Sequence, residues 1–210
     1  SDVEQEIRRI AIKDFKQPFD LTQAPLFRVQ LLRVDATEHI WIFTQHHIIH
    51  DGWSSRIFSR ELFSLYRALL LGAPPALTEL PIQYSDYALW LRHRENEIIE
   101  NHLSYWSRKL DGLTLSELPT EKPKPQKRSF DGATEKIQLS LTSTHALRQL
   151  CKDEQSTTFM LLVAAFKALM QRYTGNTDIA VGAAVAGRSR PEFESLMGMF
   201  VDLVVLRSDL

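Results

Sequence analysis

Strands and helices alternate in both halves of this chain, which predicts a mixed α/β fold with helices packed on sheets. Three observations carry that expectation. Apolar residues recur at period two across 27–34 and run almost unbroken across 40–44, as strands do. They recur at helical spacing at Trp53, Ile57, Phe58, Leu62, Leu65, Tyr66 and Leu69. Of the 210 residues, 44% are hydrophobic, enough for a substantial core in one large or two small domains.

The elements follow in order. Residues 3–15 read as a helix, and 27–34 as a strand that pairs with a second strand over 39–48 across the turn Asp35-Ala36-Thr37-Glu38. Residues 40–44 are apolar on both alternating faces, as in a strand buried on both sides. A helix over 53–71 is stopped by Gly72-Ala73-Pro74-Pro75. Helical stretches follow at 84–95 and 96–110, then a connector rich in Pro, Lys and Gly that marks a boundary. Beyond it the pattern predicts a strand at 135–141 and a helix at 143–154 capped by Thr142 or Ser143. A very apolar helix at 158–173, expected to be buried, precedes strands at 178–186 and near 201–207. No sequence repeat of fixed period is present.

Charge and composition exclude several classes of partner. With 25 basic and 26 acidic residues the net charge is −1, so no global attraction to nucleic acid or an anionic membrane is expected. The basic run at 122–128 has two prolines and no aromatic residue on which a base could stack, and reads as a solvated linker. Cys151 is the single cysteine, which excludes an intrachain disulfide and fits a small buried hydrophobe. The longest apolar run, 159–166, is far shorter than the ~20 residues that span a bilayer, and no signal peptide is visible. A cytoplasmic protein is expected.

Chemistry concentrates at Gln45-His46-His47-Ile48-Ile49-His50-Asp51-Gly52-Trp53-Ser54, where an apolar strand runs into paired histidines and then a helix-opening Asp-Gly. Neighbouring strand residues point to opposite faces, so His46 and His47 do not readily bind one ion together. His50 is the nearest third partner, and neither HExxH nor CxxC spacing occurs, so no metal site is expected. One catalytic ring fits better than two ligands; satisfied polar residues at a strand end are the alternative. Asp51 is placed to cap the following helix, and Gly52 suits a sharp turn or a close backbone approach.

The pattern HHxxxDG, with Tyr84-Ser85-Asp86-Tyr87-Ala88-Leu89-Trp90, Tyr105-Trp106 followed by Lys109-Leu110, Gly187-Arg188-Ser189-Arg190-Pro191 and Gly198-Met199-Phe200-Val201-Asp202, resembles the condensation domains of non-ribosomal peptide synthetases. These belong to the chloramphenicol acetyltransferase-like superfamily. The resemblance implies two similar lobes in a V around a substrate tunnel that holds His47. On that basis 1–118 is the remainder of an N-terminal lobe, 119–134 a linker and 135–210 the first part of a C-terminal lobe. Segments that the family carries on either side are absent, so the chain reads as a central piece, incomplete at both termini. In isolation it is expected to be inactive or barely active. Asp202 departs from the family's usual Asn.

The resemblance also implies an activity: peptide-bond formation between an upstream acyl or peptidyl thioester and the amine of a downstream aminoacyl thioester. His47 falls at the reaction centre and His46 orients the loop. Asp51 holds the turn by an ion pair, with Arg188 or Arg190 as partner. Backbone N–H groups at Gly52, near a helix N-terminus, face a developing oxyanion. No cofactor is bound by the chain itself. The 4'-phosphopantetheine arms arrive on upstream and downstream peptidyl carrier proteins, with an adenylation domain adjacent. The same histidine motif also serves epimerisation domains and stand-alone acyltransferases, and a non-catalytic docking domain is a further alternative. Retention of both histidines, Asp51 and Gly52 speaks against the last, and the histidine pair against a heterocyclising domain.

Overall fold

The computed structural model describes residues 2–114, 116–120, 126–127 and 132–210. In chain order it contains α1 (Asp2–Lys16), β1 (Phe27–Arg33), β2 (His39–Gln45), a 3₁₀ turn (His47–Ile49), α2 (Gly52–Leu70) and α3 (Tyr84–Leu110). Then come α4 (Leu141–Asp153), α5 (Thr158–Thr174), β3 (Asp178–Val185), a second 3₁₀ turn (Pro191–Phe193) and β4 (Asp202–Asp209). Among the described residues β1 pairs with β2 and β3 with β4, so the α/β expectation holds. The chain folds as two compact units interleaved along the sequence, 1–98 with 184–202, and 99–183 with 203–210. The basic run at 122–128 lies largely outside the described residues.

The first unit is built on an antiparallel hairpin whose register runs from Phe27 opposite Gln45 to Arg33 opposite His39. Asp14 of α1 reaches into it. Its carboxylate accepts from Gln30 Nε2 at 2.7 Å, from Arg28 Nε at 3.2 Å and from the Thr44 hydroxyl. Thr44 precedes the histidines by two residues, so this buried acid pins the strand end that leads into them. The hydrogen bond from Thr44 is the largest influence on the Asp14 carboxyl; with Gln30 and Arg28 it holds the group below the ordinary aspartate range against burial.

β2 ends three residues earlier than the pattern implies. The His46 N–H closes onto the Leu26 carbonyl at 2.9 Å, and the chain then turns instead of extending. Nor is the strand buried on both faces, since Trp41 is exposed beside Phe43 and Phe58; among the described residues β2 pairs with β1 alone. Gly72 takes φ +62 and ends α2, as the Gly-Ala-Pro-Pro sequence requires. The stretches 84–95 and 96–110 are one continuous helix, because no glycine or proline interrupts them. The core of this unit is Phe193, Leu196 and Phe200, packed by Leu80, Ile82, Tyr84, Tyr87 and Trp90.

The second unit departs further from expectation. Residues 135–140 form no strand; Ile137 is 91% exposed, and no ladder partner lies beside the segment among the described residues. Alternation alone does not make a strand without an edge to pair with. The cap of α4 is Ser140, not Thr142 or Ser143: its hydroxyl accepts from the Ser143 N–H at 3.0 Å, and Leu141 has joined the helix. α5 is not buried, since Phe159, Met160, Leu162, Phe166, Leu169 and Tyr173 are all exposed. Its one buried residue is Lys167, whose Nζ donates to Ser208 Oγ at 2.7 Å. Cys151 is buried with a free thiol. Arg207 ties this unit together, paired with Asp178 at 2.6 Å and donating to the carbonyls of Lys109 and Asp111 at 2.9 and 2.8 Å.

Candidate active site

The motif is a strand end, a one-turn 3₁₀ helix and the N-terminus of α2 in immediate succession. His46 is not a strand residue. It caps the 3₁₀ turn, its Nδ1 accepting from the Ile48 N–H at 3.1 Å, while its ring meets Phe19 edge-on at 6.1 Å. A ring nitrogen that accepts from an amide carries no proton, so the His46 proton sits on Nε2. His47 opens the turn and is exposed. Its ring stacks on that of His50, with centroids 5.1 Å apart and planes 29° apart. Among the described residues no group of three or more potential ligands could hold a metal ion.

Asp51 is 0% exposed and caps α2, its Oδ1 accepting from the Ser54 N–H and the Ser54 hydroxyl, both at 2.7 Å. Oδ2 accepts from the Phe200 N–H at 3.1 Å. Arg188 Nη2 lies 3.2 Å from Oδ1, and the Arg188 side chain is 2% exposed. The same guanidinium donates to the Leu196 carbonyl at 2.9 Å and to the Phe193 carbonyl, and its Cζ lies 4.0 Å from the centre of the Phe200 ring. Arg190 instead lies over Trp90 at 5.1 Å. The structure thus brings Asp51 and Arg188 together across 137 residues of sequence. The hydrogen bonds of the Asp51 carboxylate go to Ser54, Phe200 and Arg188, and among the described residues none goes to a histidine.

Ser54 escaped the sequence reading. It is 1% exposed, accepts from the Gly198 N–H at 3.0 Å and from Arg188 Nη2 at 3.0 Å, and has the Gly198 carbonyl at 2.8 Å. Its position three residues after Asp51 was the available signal, since that is where a capping side chain finds its backbone donor. Trp53 Nε1 donates to the Glu194 carbonyl at 2.9 Å, and Tyr84 Oη to the Met199 carbonyl at 2.8 Å. Gly198 presses on the Tyr84 ring so closely that a Cβ there would overlap it. Gly52 is different: a Cβ would meet nothing within 4 Å, and its φ is not positive. The close backbone approach expected of Gly52 therefore does not involve any described residue.

Burial is the largest single influence on the Asp51 carboxyl and pushes it up. The two donors of Ser54, the Phe200 N–H and the Arg188 charge together outweigh it and hold the group below the ordinary aspartate range. Asp14 shifts the same way. A carboxyl depressed on folding stabilises the native state fully above its unfolded pKa of about 3.9, and that contribution is lost as the pH falls through the native value. Thermal melts are therefore expected to be flat from about pH 5 to 8 and to drop steeply below about pH 4. Asp51→Asn should shorten that acid limb; an unchanged limb in this variant would place its origin elsewhere.

Removing one partner of a fully buried ion pair strands the other charge, at a cost of about 3–5 kcal/mol. Arg188→Ala is expected to lose that much in urea unfolding. Arg188→Lys should recover only part, because an ammonium cannot reproduce the fork that spans Asp51 and two carbonyls.

Residues 1–210 match the family model of the condensation domain. The chain belongs to the condensation domain family. This condensation-domain chain is 44% identical over 209 residues to a linear gramicidin synthase of Brevibacillus parabrevis, covering 99% of the chain and 3% of that protein. It is 40% identical over 206 residues to chondramide synthase cmdD of Chondromyces crocatus, covering 98% of the chain and 5% of that protein. Among solved structures it is similar to the X-domain from teicoplanin biosynthesis, with a TM-score of 0.86 and 27% identity over 99% of the chain and 47% of that domain. The first condensation domain of the calcium-dependent antibiotic synthetase shares the fold, with a TM-score of 0.80 at 23% identity over 100% of the chain and 48% of that one. The chain thus spans about half of these solved domains and a few percent of the curated relatives. Among the described residues no helix is long and apolar enough to cross a membrane.

Proposed function

We propose that this condensation domain forms a peptide bond between an upstream acyl or peptidyl thioester and the amine of a downstream aminoacyl thioester, with His47 at the reacting atoms. The observation that carries the reading is the exposed His47 ring on a turn held at both ends: by the hairpin and Asp14 on one side, by the buried Asp51–Arg188 pair on the other. The amine nitrogen attacks the thioester carbon, a C–N bond forms, the C–S bond breaks and the thiol leaves with a proton. His47 orients the amine, takes the proton from the attacking nitrogen and passes it to the departing thiolate.

Magnitudes favour that division of labour. An α-amine has a pKa near ~8, so freeing it at pH 7 costs only about 1.4 kcal/mol. Holding two tethered reactants in line is worth roughly 7–11 kcal/mol. The N–H groups of Gly52 and Trp53 at the start of α2 stabilise the oxyanion, and open space at Gly52 leaves room for the acyl group. His46 orients the loop; Asp51 and Arg188 hold it. The substrates arrive on 4'-phosphopantetheine arms of two peptidyl carrier proteins, beside an adenylation domain, in the cytoplasm. Residues 1–118 supply the N-terminal lobe, 119–134 a linker and 135–210 the start of the C-terminal lobe. The 210 residues alone are inactive or barely active.

The deciding experiment supplies two loaded carrier proteins to a condensation domain of full family length bearing this sequence and looks for dipeptidyl thioester by mass spectrometry. Product supports the reading, and its absence across varied aminoacyl pairs from a folded domain overturns it. Gly52→Ala gives an independent check. Its fold should be as stable as the wild type or up to about 1 kcal/mol more so, since alanine is the better helix former and finds open space. Turnover should fall, because the methyl group enters the acyl space; full turnover in the variant would remove Gly52 from the site.

A second reading, a docking domain without catalysis, draws on the likeness to the teicoplanin X-domain, which has been solved in complex with OxyB. In that case the assay yields no product with either the wild type or His47→Ala.

A further inference from the structure

We propose that His50 is a positioning residue for His47, acting as a plate against which the His47 imidazole is held. The inference rests on the acyl-transfer reading of His47 and deepens it.

His47 opens the 3₁₀ turn, and His50, three residues on, caps its C-terminal end in extended backbone. The His50 N–H donates to the His47 carbonyl at 3.3 Å, which closes that turn. The His50 ring is fixed a second time, by its Nδ1 at 3.1 Å from the His46 carbonyl. A carbonyl only accepts, so Nδ1 carries the proton and the tautomer of His50 is set by the backbone. His50 is half-buried and doubly anchored, whereas His47 is exposed. The 5.1 Å centroid separation and 29° tilt stack the His47 ring on this anchored partner.

An exposed imidazole populates several staggered rotamers, and a reacting group misplaced by about 1 Å can lose up to about a hundredfold in rate. The chain of contacts from the His46 carbonyl to the His50 ring to the His47 ring restricts that freedom without touching substrate. A planar ring at position 50 is what the mechanism needs. The hydrogen bond to His46 serves to hold that ring and cannot substitute for it.

The test uses a condensation domain of full family length bearing this sequence, two loaded carrier proteins, and the variants His50→Ala, His50→Phe, His50→Asn and His47→Ala. His50→Ala should lower kcat about tenfold with KM for both carrier proteins unchanged, and His50→Phe should return to within about threefold of wild type. His50→Asn, which keeps a polar group but no plate, should behave as His50→Ala. The ring protons of His47, followed by NMR in histidine-labelled protein, should show a ring-current shift that disappears in His50→Ala and persists in His50→Phe. Wild-type kcat in His50→Ala beside an inactive His47→Ala would overturn this inference alone. Equal losses in the Ala and Phe variants, or a His47 shift unaffected by His50→Ala, would do the same. A fully active His47→Ala would overturn both this inference and the reading beneath it.

Discussion

His47→Ala is expected to lower condensation by about 10²–10⁴-fold, the range over which a positioned acid or base acts. That loss corresponds to roughly 3–5 kcal/mol of transition-state stabilisation. The fold should not notice. His47 is exposed, and removing its ring leaves Asp14, Thr44, Asp51 and Arg188 with their partners intact. Circular dichroism and the melting temperature are therefore expected to match the wild type, which makes rate the sole readout. His46→Ala should show the opposite balance, because its Nδ1 caps the turn. Losing such a cap costs about 1 kcal/mol, and rate should fall only as far as the turn loosens. Near-wild-type turnover in His47→Ala would require the reaction to be assigned to other residues.

Gly187→Ala is expected to be the most damaging single methyl group in the first unit. Gly187 sits at φ +65, and a Cβ built there overlaps the backbone carbonyl of Phe200. Two costs combine. An L-residue in the left-handed region loses about 1–2 kcal/mol by itself. The overlap then cannot be relieved by a rotamer change, because the colliding atom is main chain. Moving it displaces Phe200, whose N–H is bonded to Asp51 and whose ring packs on Arg188, Tyr84 and Tyr87. A total near or above about 4 kcal/mol is expected, a size reached only where a special backbone position or a buried network is broken. Urea denaturation checks this directly, and a loss under about 1 kcal/mol would mean that the turn has a second arrangement. Gly198→Ala should be milder, since the group it meets is the Tyr84 side chain, which can shift at the expense of its bond to Met199.

The candidate site was partly legible in the sequence. Asp51 caps α2 because aspartate before an apolar-periodic run supplies what a helix N-terminus lacks, and that rule spans only three residues. The end of α2 at Gly72 followed from the same kind of short-range chemistry. Where expectation went astray, the missing quantity was a neighbour. The alternation at 135–141 does not form a strand without an edge to pair with, and the apolar run of α5 stands exposed where burial was expected. β2 stopped at Gln45 because His46 spent its ring nitrogen on the Ile48 N–H, a choice invisible to periodicity.

Short-range chemistry set the α/β class, the β1–β2 hairpin and the helices on either side of it, since each depends on residues within a turn or two of one another; the order His-His-x-x-x-Asp-Gly is read directly from the chain. Tertiary structure decided the rest. It placed Arg188 and not Arg190 on Asp51, made Ser54 the buried hub between Arg188 and Gly198, and set the His50 ring against His47. Local propensity is a sum of small terms that act along the chain. A buried charge over a hundred residues from its counter-ion is satisfied only by where the folded backbone brings that partner.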